Sequence, residues 1–372
     1  MSAKSRPYFD PRFCERDNTE AKIWDVKPPQ SVIDDLRAFT AKTGTPDLWP
    51  FHCHSKPSEK SPPPRIIATN IDIPESARPS VGKAPCPLCS LQGPRYFHAM
   101  LAWWPDEKAL RVIGRECGHK FWGDGFDVET RRFERDRADD ANLGFLIDNI
   151  AQVAPLRKTI EQVLPIARFL DVLRRRFFTV VTKKNIQTVS RSLGNNFGRL
   201  GLYEEILVTS IDFKGNKSRK WVPSLIEDIP LNGRQMLVFG SDAAELRLYK
   251  AELNLEKLSF SSDDETLGEL GRLDIDGRRH AADDLKEAWK AIKEAVEVCA
   301  ATQEFFTAEN LRAFARWSSD HRAPVQLRFR EDQFGRFDVA HRTHAMQIIP
   351  GSPELKITLP RVPVLVWKES RP

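Results

Sequence analysis

Residues 86–119 read CPLCSLQGPRYFHAMLAWWPDEKALRVIGRECGH, and the expectations for the fold work outward from this stretch. Cys86 and Cys89 have the Cys-x-x-Cys spacing that lets one tight turn present two thiolates to a single ion. The runs YFHAMLAWW and ALRVIGR flank the polar turn PDEK, which reads as an antiparallel hairpin. The second run leads into Cys117-Gly118-His119. Side chains two apart on a strand leave on the same side, so an extended end would present Cys117 and His119 together. The hairpin then brings both pairs to one tetrahedral ion, and Cys86, Cys89, Cys117 and His119 are the expected ligands of a single Zn2+. His98 on the intervening strand, or the upstream segment His52-Cys53-His54, are the alternatives for the fourth ligand. Four protein ligands leave no open coordination position, so this zinc is expected to be structural.

The order of knuckle, hairpin, second ligand pair and helix is similar to a treble-clef zinc finger, and the Cys-Gly-His step resembles the Cys-x-His pair of RING domains. The resemblance covers residues 85–138. A RING domain binds two ions through four further ligands that this sequence lacks, so ubiquitin-ligase activity is not implied. Trp103 and Trp104 are adjacent on the first strand and point to opposite faces. At most one of them is therefore expected in a single core.

Upstream, residues 1–80 hold Pro62, Pro63, Pro64, Pro74 and Pro79. Proline lacks an amide donor and pushes its predecessor toward extended backbone. The segment is expected to be a Pro-rich arm and linker with one helix near residues 30–42, followed by a zinc-binding module over 81–140. A charged helix is expected over 128–138. Downstream, apolar residues recur every three or four positions between Asn142 and Val181, the mark of amphipathic helices, with Pro155 and Pro165 as expected interruptions. Residues 141–200 form the expected basic helical segment, and 201–372 a mixed α/β domain with antiparallel strands. Within it EILVTSIDF, SRKWV, QMLVF and ELRLY read as a meander. A helix over 281–301 and another from Thr307 follow, and then strands at VQLRF, RFDV, AMQII, LKITL and VLVWK. The fold class expected is α+β and multidomain, with a small treble-clef-like zinc module, a helical middle and an antiparallel β-rich C-terminal part.

The net charge of +5 is unevenly spread. Residues 151–200 carry ten Lys or Arg against Glu161 and Asp171, whereas 251–300 carry seven bases against thirteen acids. The basic block is the best polyanion footprint in the chain, since phosphate contacts need such a density of cations. Arg174, Arg175, Arg176, Lys183, Lys184 and Arg191 are the expected nucleic-acid contacts. Pairing of the block with the acidic segment is the plain alternative. Residues 182–203 have the outline of a helix, a turn and a second helix, the first capped by Thr182 and stopped at Gly194. Three glycines make that second helix poor.

No apolar run is long enough to span a bilayer, and the N-terminal residues have no signal-peptide core, so a cytoplasmic protein is expected. His341 and His344 form a His-x-x-His pair without the flanking residues of a known metal or phosphoesterase motif, which favours surface histidines. No phosphate-binding loop, dinucleotide fingerprint or nucleophile elbow occurs, so no catalytic residues are assigned. Two functions remain as expectations. One is a zinc-stabilised protein that contacts DNA or RNA through the basic helical segment. The other is a protein-interaction or assembly subunit with a structural zinc site.

Overall fold

The run from His98 to Trp104 is apolar at nearly every position, and so is the run from Ala109 to Gly114. A strand that faces water on one side alternates; a continuous apolar strand requires cover on both faces. The computed structural model provides that cover. It describes residues 23–58, 60–89, 93–195, 198–211, 217–237, 243–258 and 263–367. The chain is mixed helix and antiparallel sheet and divides into two compact units, the first taking the described residues as far as Ala141 and the second running from Asn142.

In the first unit, helix α1 (Gln30–Thr43) ends on Gly44, whose φ of 68° few other residues tolerate. Strand β1 (Arg65–Asp72) pairs antiparallel with β2 (His98–Trp104), which pairs in turn with β3 (Ala109–Gly114). A single turn of helix, α2 (Arg78–Val81), lies between β1 and β2. After β3 come α3 (Arg115–Trp122) and α4 (Asp124–Asn149), the latter crossing into the second unit. The expected hairpin is present, with Leu101 opposite Val112 and Trp103 opposite Leu110.

The arm and linker expected over 1–80 is not what the described part of that segment forms. Leu36, Trp49, Ile66, Ile67, Ile71 and Ile73 are all buried in the same core as the hairpin. Trp49 donates its Nε1 proton to Asp35 at 2.8 Å. The outer edge of β3 is closed by the backbone of Cys53, which donates to Leu110, while the Val112 amide donates to Nδ1 of the buried His52. Because chain lies over both faces, Trp103 and Trp104 are both buried, at 5% and 2% exposure. The expectation that only one joins a core is corrected. Proline density marked extended backbone, which here became an edge strand and its approaches.

The second unit is built on α5 (Val153–Val181), which follows α4 after a 3-10 turn (Ile150–Gln152), and on α6 (Lys183–Asn195). Pro155 sits in the first turn of α5, where its missing amide costs nothing. Pro165 lies inside α5 without breaking it. The carbonyl that it deprives of a partner belongs to Glu161, on the exposed side, where water can serve. Next come a ribbon of β4 (Arg199–Ile211) and β5 (Lys217–Pro230), then α7 (Ala244–Glu256), α8 (Asp263–Arg272), α9 (Ile275–Phe305) and α10 (Ala308–Ser319). Asp274 caps α9 by accepting from the Gly277 amide at 2.7 Å, and Thr307 caps α10. Helix α9 packs against α5 and α7, and Phe177 meets Phe305, Phe306 and Phe314 with ring centroids 5.4–6.2 Å apart. A small sheet of β6 (Arg328–Glu331), β7 (Phe337–His341) and β8 (His344–Ile348) closes the unit, followed by one helical turn, α11 (Pro353–Lys356).

Several expected strands are something else. ELRLY lies in α7, where Ala244, Leu248, Ala251 and Leu255 form the buried stripe; five alternating residues fit a strand, but the next seven show the helical spacing. The start of QMLVF is a 3-10 turn (Arg234–Leu237), and the rest falls outside the described residues. The second helix of the 182–203 motif is instead the beginning of β4. LKITL begins in α11, and its remainder is not strand. VLVWK is irregular as far as Trp367, and the side chain of the buried Asn149 holds it by exchanging two hydrogen bonds with the Val366 backbone.

Candidate metal centre and basic surfaces

The turn beginning at Cys86 is closed by the Cys89 amide, which donates to the Cys86 carbonyl at 3.2 Å. Ala84 pairs with Tyr96 on the far side of the loop, pinning the turn against the end of the sheet. Gly114 ends β3, and α3 starts immediately, so Cys117 is offered from the first turn of a helix. A Cβ at Gly114 would lie 3.1 Å from Cβ of Tyr96 and 3.4 Å from Sγ of Cys117, so the bare backbone there leaves room for the thiol. A side chain at Gly118 would run into the Phe126 ring. Both glycines are packing requirements of the cluster.

The sulfurs of Cys86, Cys89 and Cys117 lie within 4.8 Å of one another, close enough to hold one metal ion. Cys86 and Cys117 are buried and Cys89 is exposed. A hydrogen bond with Cys117, together with the Gly114 and Leu88 backbone, holds the Cys86 thiol below its ordinary range despite burial. Burial pushes Cys89 up to about 11, and the neighbouring Cys86 pushes Cys117 up further. Without a cation, Cys89 and Cys117 resist ionising. A cation is what would allow all three to ionise. Arg95, whose charge acts on Cys89 and Cys117, is the one feature of this centre that the sequence reading missed.

His119 is not part of the group. Because α3 begins at Arg115, Cys117 and His119 sit two apart on a helix, about 200° around its axis, and not on one side of a strand. The His119 ring is more than half exposed and meets Asp127 at 3.0 Å. The alternatives are engaged elsewhere too. His98 pairs with Asp72 at 3.1 Å, His52 accepts from Val112, and His54 stacks edge-on against His52. Cys53 contacts Ser55. Among the described residues three cysteines form the set, and no fourth His, Cys, Asp or Glu joins it.

The six basic residues separate. Arg174 is buried on α5, where its Nε donates to the Met236 carbonyl at 2.8 Å and its guanidinium covers the Phe178 ring. It is a core residue and is withdrawn from the expected phosphate contacts. Three consecutive residues fan around a helix, so they cannot all be buried, but the sequence did not say which of them would be. Arg175, Arg176, Lys183, Lys184 and Arg191 are exposed. No acidic residue occurs from Val172 to Tyr203. Arg176, Lys184 and Arg191 form no ion pair among the described residues, and Arg175 donates only to a carbonyl of its own helix. The acidic segment answers other cations: Glu294 pairs with Arg247 and Asp284 with Lys257. Arg175 and Arg176 also line an open groove of about 720 Å³ opposite Thr343, His344 and Gln347.

His341 and His344 face each other across the β7–β8 turn, with His341 3.4 Å from the Asn185 amide group, and neither enters a metal-ligating group. No helix among the described residues is long and apolar enough to cross a membrane. No protein-family model, curated protein or solved structure matches the chain.

Proposed function

We propose that this protein binds nucleic acid through the second unit and uses a zinc ion to staple the first. The observation that carries the binding reading is the exposure of Arg175, Arg176, Lys183, Lys184 and Arg191 in a stretch of sequence without carboxylates. Such a surface gains affinity by releasing counterions from phosphates, and its affinity falls as salt rises. A gel-shift titration in rising salt tests it. The expected result is binding at low salt that weakens steeply with added salt and is reduced by changing Arg175, Arg176 and Lys184 to alanine. Absence of low-salt binding overturns the reading.

Zinc is the ion we assign to Cys86, Cys89 and Cys117, because three clustered thiolates suit a soft divalent cation and Cys-x-x-Cys is its commonest turn. Its role is to tie the knuckle loop to the first turn of α3. Arg95 would offset the excess negative charge of three thiolates on one divalent ion. Elemental analysis is expected to find one equivalent of zinc per chain, lost in a Cys86→Ser, Cys117→Ser variant.

A further inference from the structure

The ribbon β4–β5 runs for 13 and 14 residues, and from Tyr203 to Glu227 almost every residue on it is exposed on both faces. At about 3.4 Å per residue the strands extend for about 44 Å. A two-stranded ribbon is marginal in water when nothing covers it, so one this long and bare is a contact device waiting for an occupant.

Charge names the occupant. At the root of the ribbon Glu227 meets Arg316 at 3.1 Å and Asp228 is paired with Arg199, while the exposed Glu204 and Glu205 of β4 form no ion pair among the described residues. In the outer half the balance is lost. From Lys217 to Ile226 there is no acid, and Lys217, Arg219 and Lys220 lie in register with Ile211, Thr209 and Val208, which offer them no carboxylate. None of the three forms an ion pair among the described residues. Lys217, Arg219 and Trp221 alternate onto one face, and Lys220 lies on the reverse. Trp221 is 59% exposed and stands opposite Leu207, also exposed.

Resting on the nucleic-acid reading above, we infer that the outer half of this ribbon is a second contact that enters a duplex groove. Lys217, Arg219 and Lys220 would meet phosphates, and Trp221 would pack on base edges or sugars. The major groove, about 12 Å wide, admits a two-stranded ribbon. Cations beside an exposed aromatic ring are the pairing that phosphates and π-faces select. The exposed Tyr203, Ile206 and Leu225 nearer the root would also suit a protein surface, and the test below separates that outcome.

The test is fluorescence anisotropy with a labelled duplex of about 20 base pairs, titrated with the full chain across a salt series. Four proteins are compared: wild type, a Lys217→Ala, Arg219→Ala, Lys220→Ala variant, Trp221→Ala, and an Arg176→Ala, Lys184→Ala variant of the helical surface. All the altered side chains are exposed, so circular dichroism should show unchanged folding. The ribbon triple variant is expected to lose about tenfold or more in affinity, with a salt dependence shallower by about two to three counterions. Trp221→Ala is expected to weaken binding without changing the salt slope. If the ribbon triple binds like wild type while the helical variant is weakened, the ribbon inference fails and the nucleic-acid reading stands. If wild type itself does not bind at low salt, both fail. A ribbon variant that binds normally but changes its mass in light scattering overturns the inference in favour of self-association.

Discussion

Two antiparallel strand pairs of this chain, β2–β3 and β4–β5, begin from the same local signature and end in opposite environments. β2–β3 is apolar at nearly every position and is covered on both faces, leaving only His98 exposed. β4–β5 mixes Glu, Ser, Thr, Lys and Arg with its apolar residues and is bare over most of its length. Hairpin formation is a local matter of two β-prone runs and a turn, whereas cover depends on what the rest of the chain supplies. In the first unit that supply is residues 23–73, whose apolar side chains and backbone close the sheet. The second unit spends its apolar surface on helix packing around α5 and α9 and leaves the ribbon free. One hairpin therefore carries the cysteine cluster at its end, and the other is left exposed.

The largest expected effect tests whether the covered hairpin depends on the metal proposed for its cysteine cluster. Chelation, or Cys117→Ser, is expected to raise amide exchange across residues 84–96 and α3 while leaving the second unit unchanged, as hydrogen-exchange mass spectrometry would show. Equal protection with and without chelator would mean that the core alone suffices. Next, the two hairpins should respond differently to loss of a tryptophan. Trp104→Ala removes a fully covered ring in contact with Trp122 and is expected to cost about 3–5 kcal/mol, whereas Trp221→Ala should change stability by no more than about 0.5 kcal/mol. Urea melts of both variants measure this, and similar costs would erase the contrast.

The smallest effect concerns the buried edge of β3. Burial first, then the charges of His54 and Arg111, hold His52 well below its usual 6.5, so the folded protein keeps it neutral and able to accept from Val112. An unfolded chain would take up that proton near 6.5. The unfolded state thus binds more protons on the acid side, and the stability of the first unit is full above that value and drains as pH falls below it. His52→Asn retains an acceptor without the titration and should flatten the slope of urea midpoints between pH 7 and pH 5.

The cysteine cluster was largely legible. Cys-x-x-Cys, a hairpin and a third cysteine suffice to place three sulfurs, because the turn and strand pairing are local and short. His119 was not legible, since its side depends on where β3 stops. Gly114 ends the strand, the next residue starts a helix, and a two-residue step changes from same-side to nearly opposite. Arg174 was misplaced for a similar reason: consecutive arginines guarantee that some face water but not which. The strand assigned to ELRLY failed because five residues alternate as well in a helix's exposed-buried rhythm as in a strand's.

By itself, the sequence determined the hairpin and the knuckle, the long helices after Asn142, the Thr307 start, and a block of cations without acids. These are near-neighbour properties, fixed by backbone sterics, apolar period and charge density. Tertiary structure alone decided that residues 23–73 are core and not linker, that both adjacent tryptophans are buried, that His119 turns away, and that one ribbon is left uncovered. Each of these depends on which distant segment arrives to exclude water from a given face, and desolvation is a property of the assembled fold, not of any stretch within it.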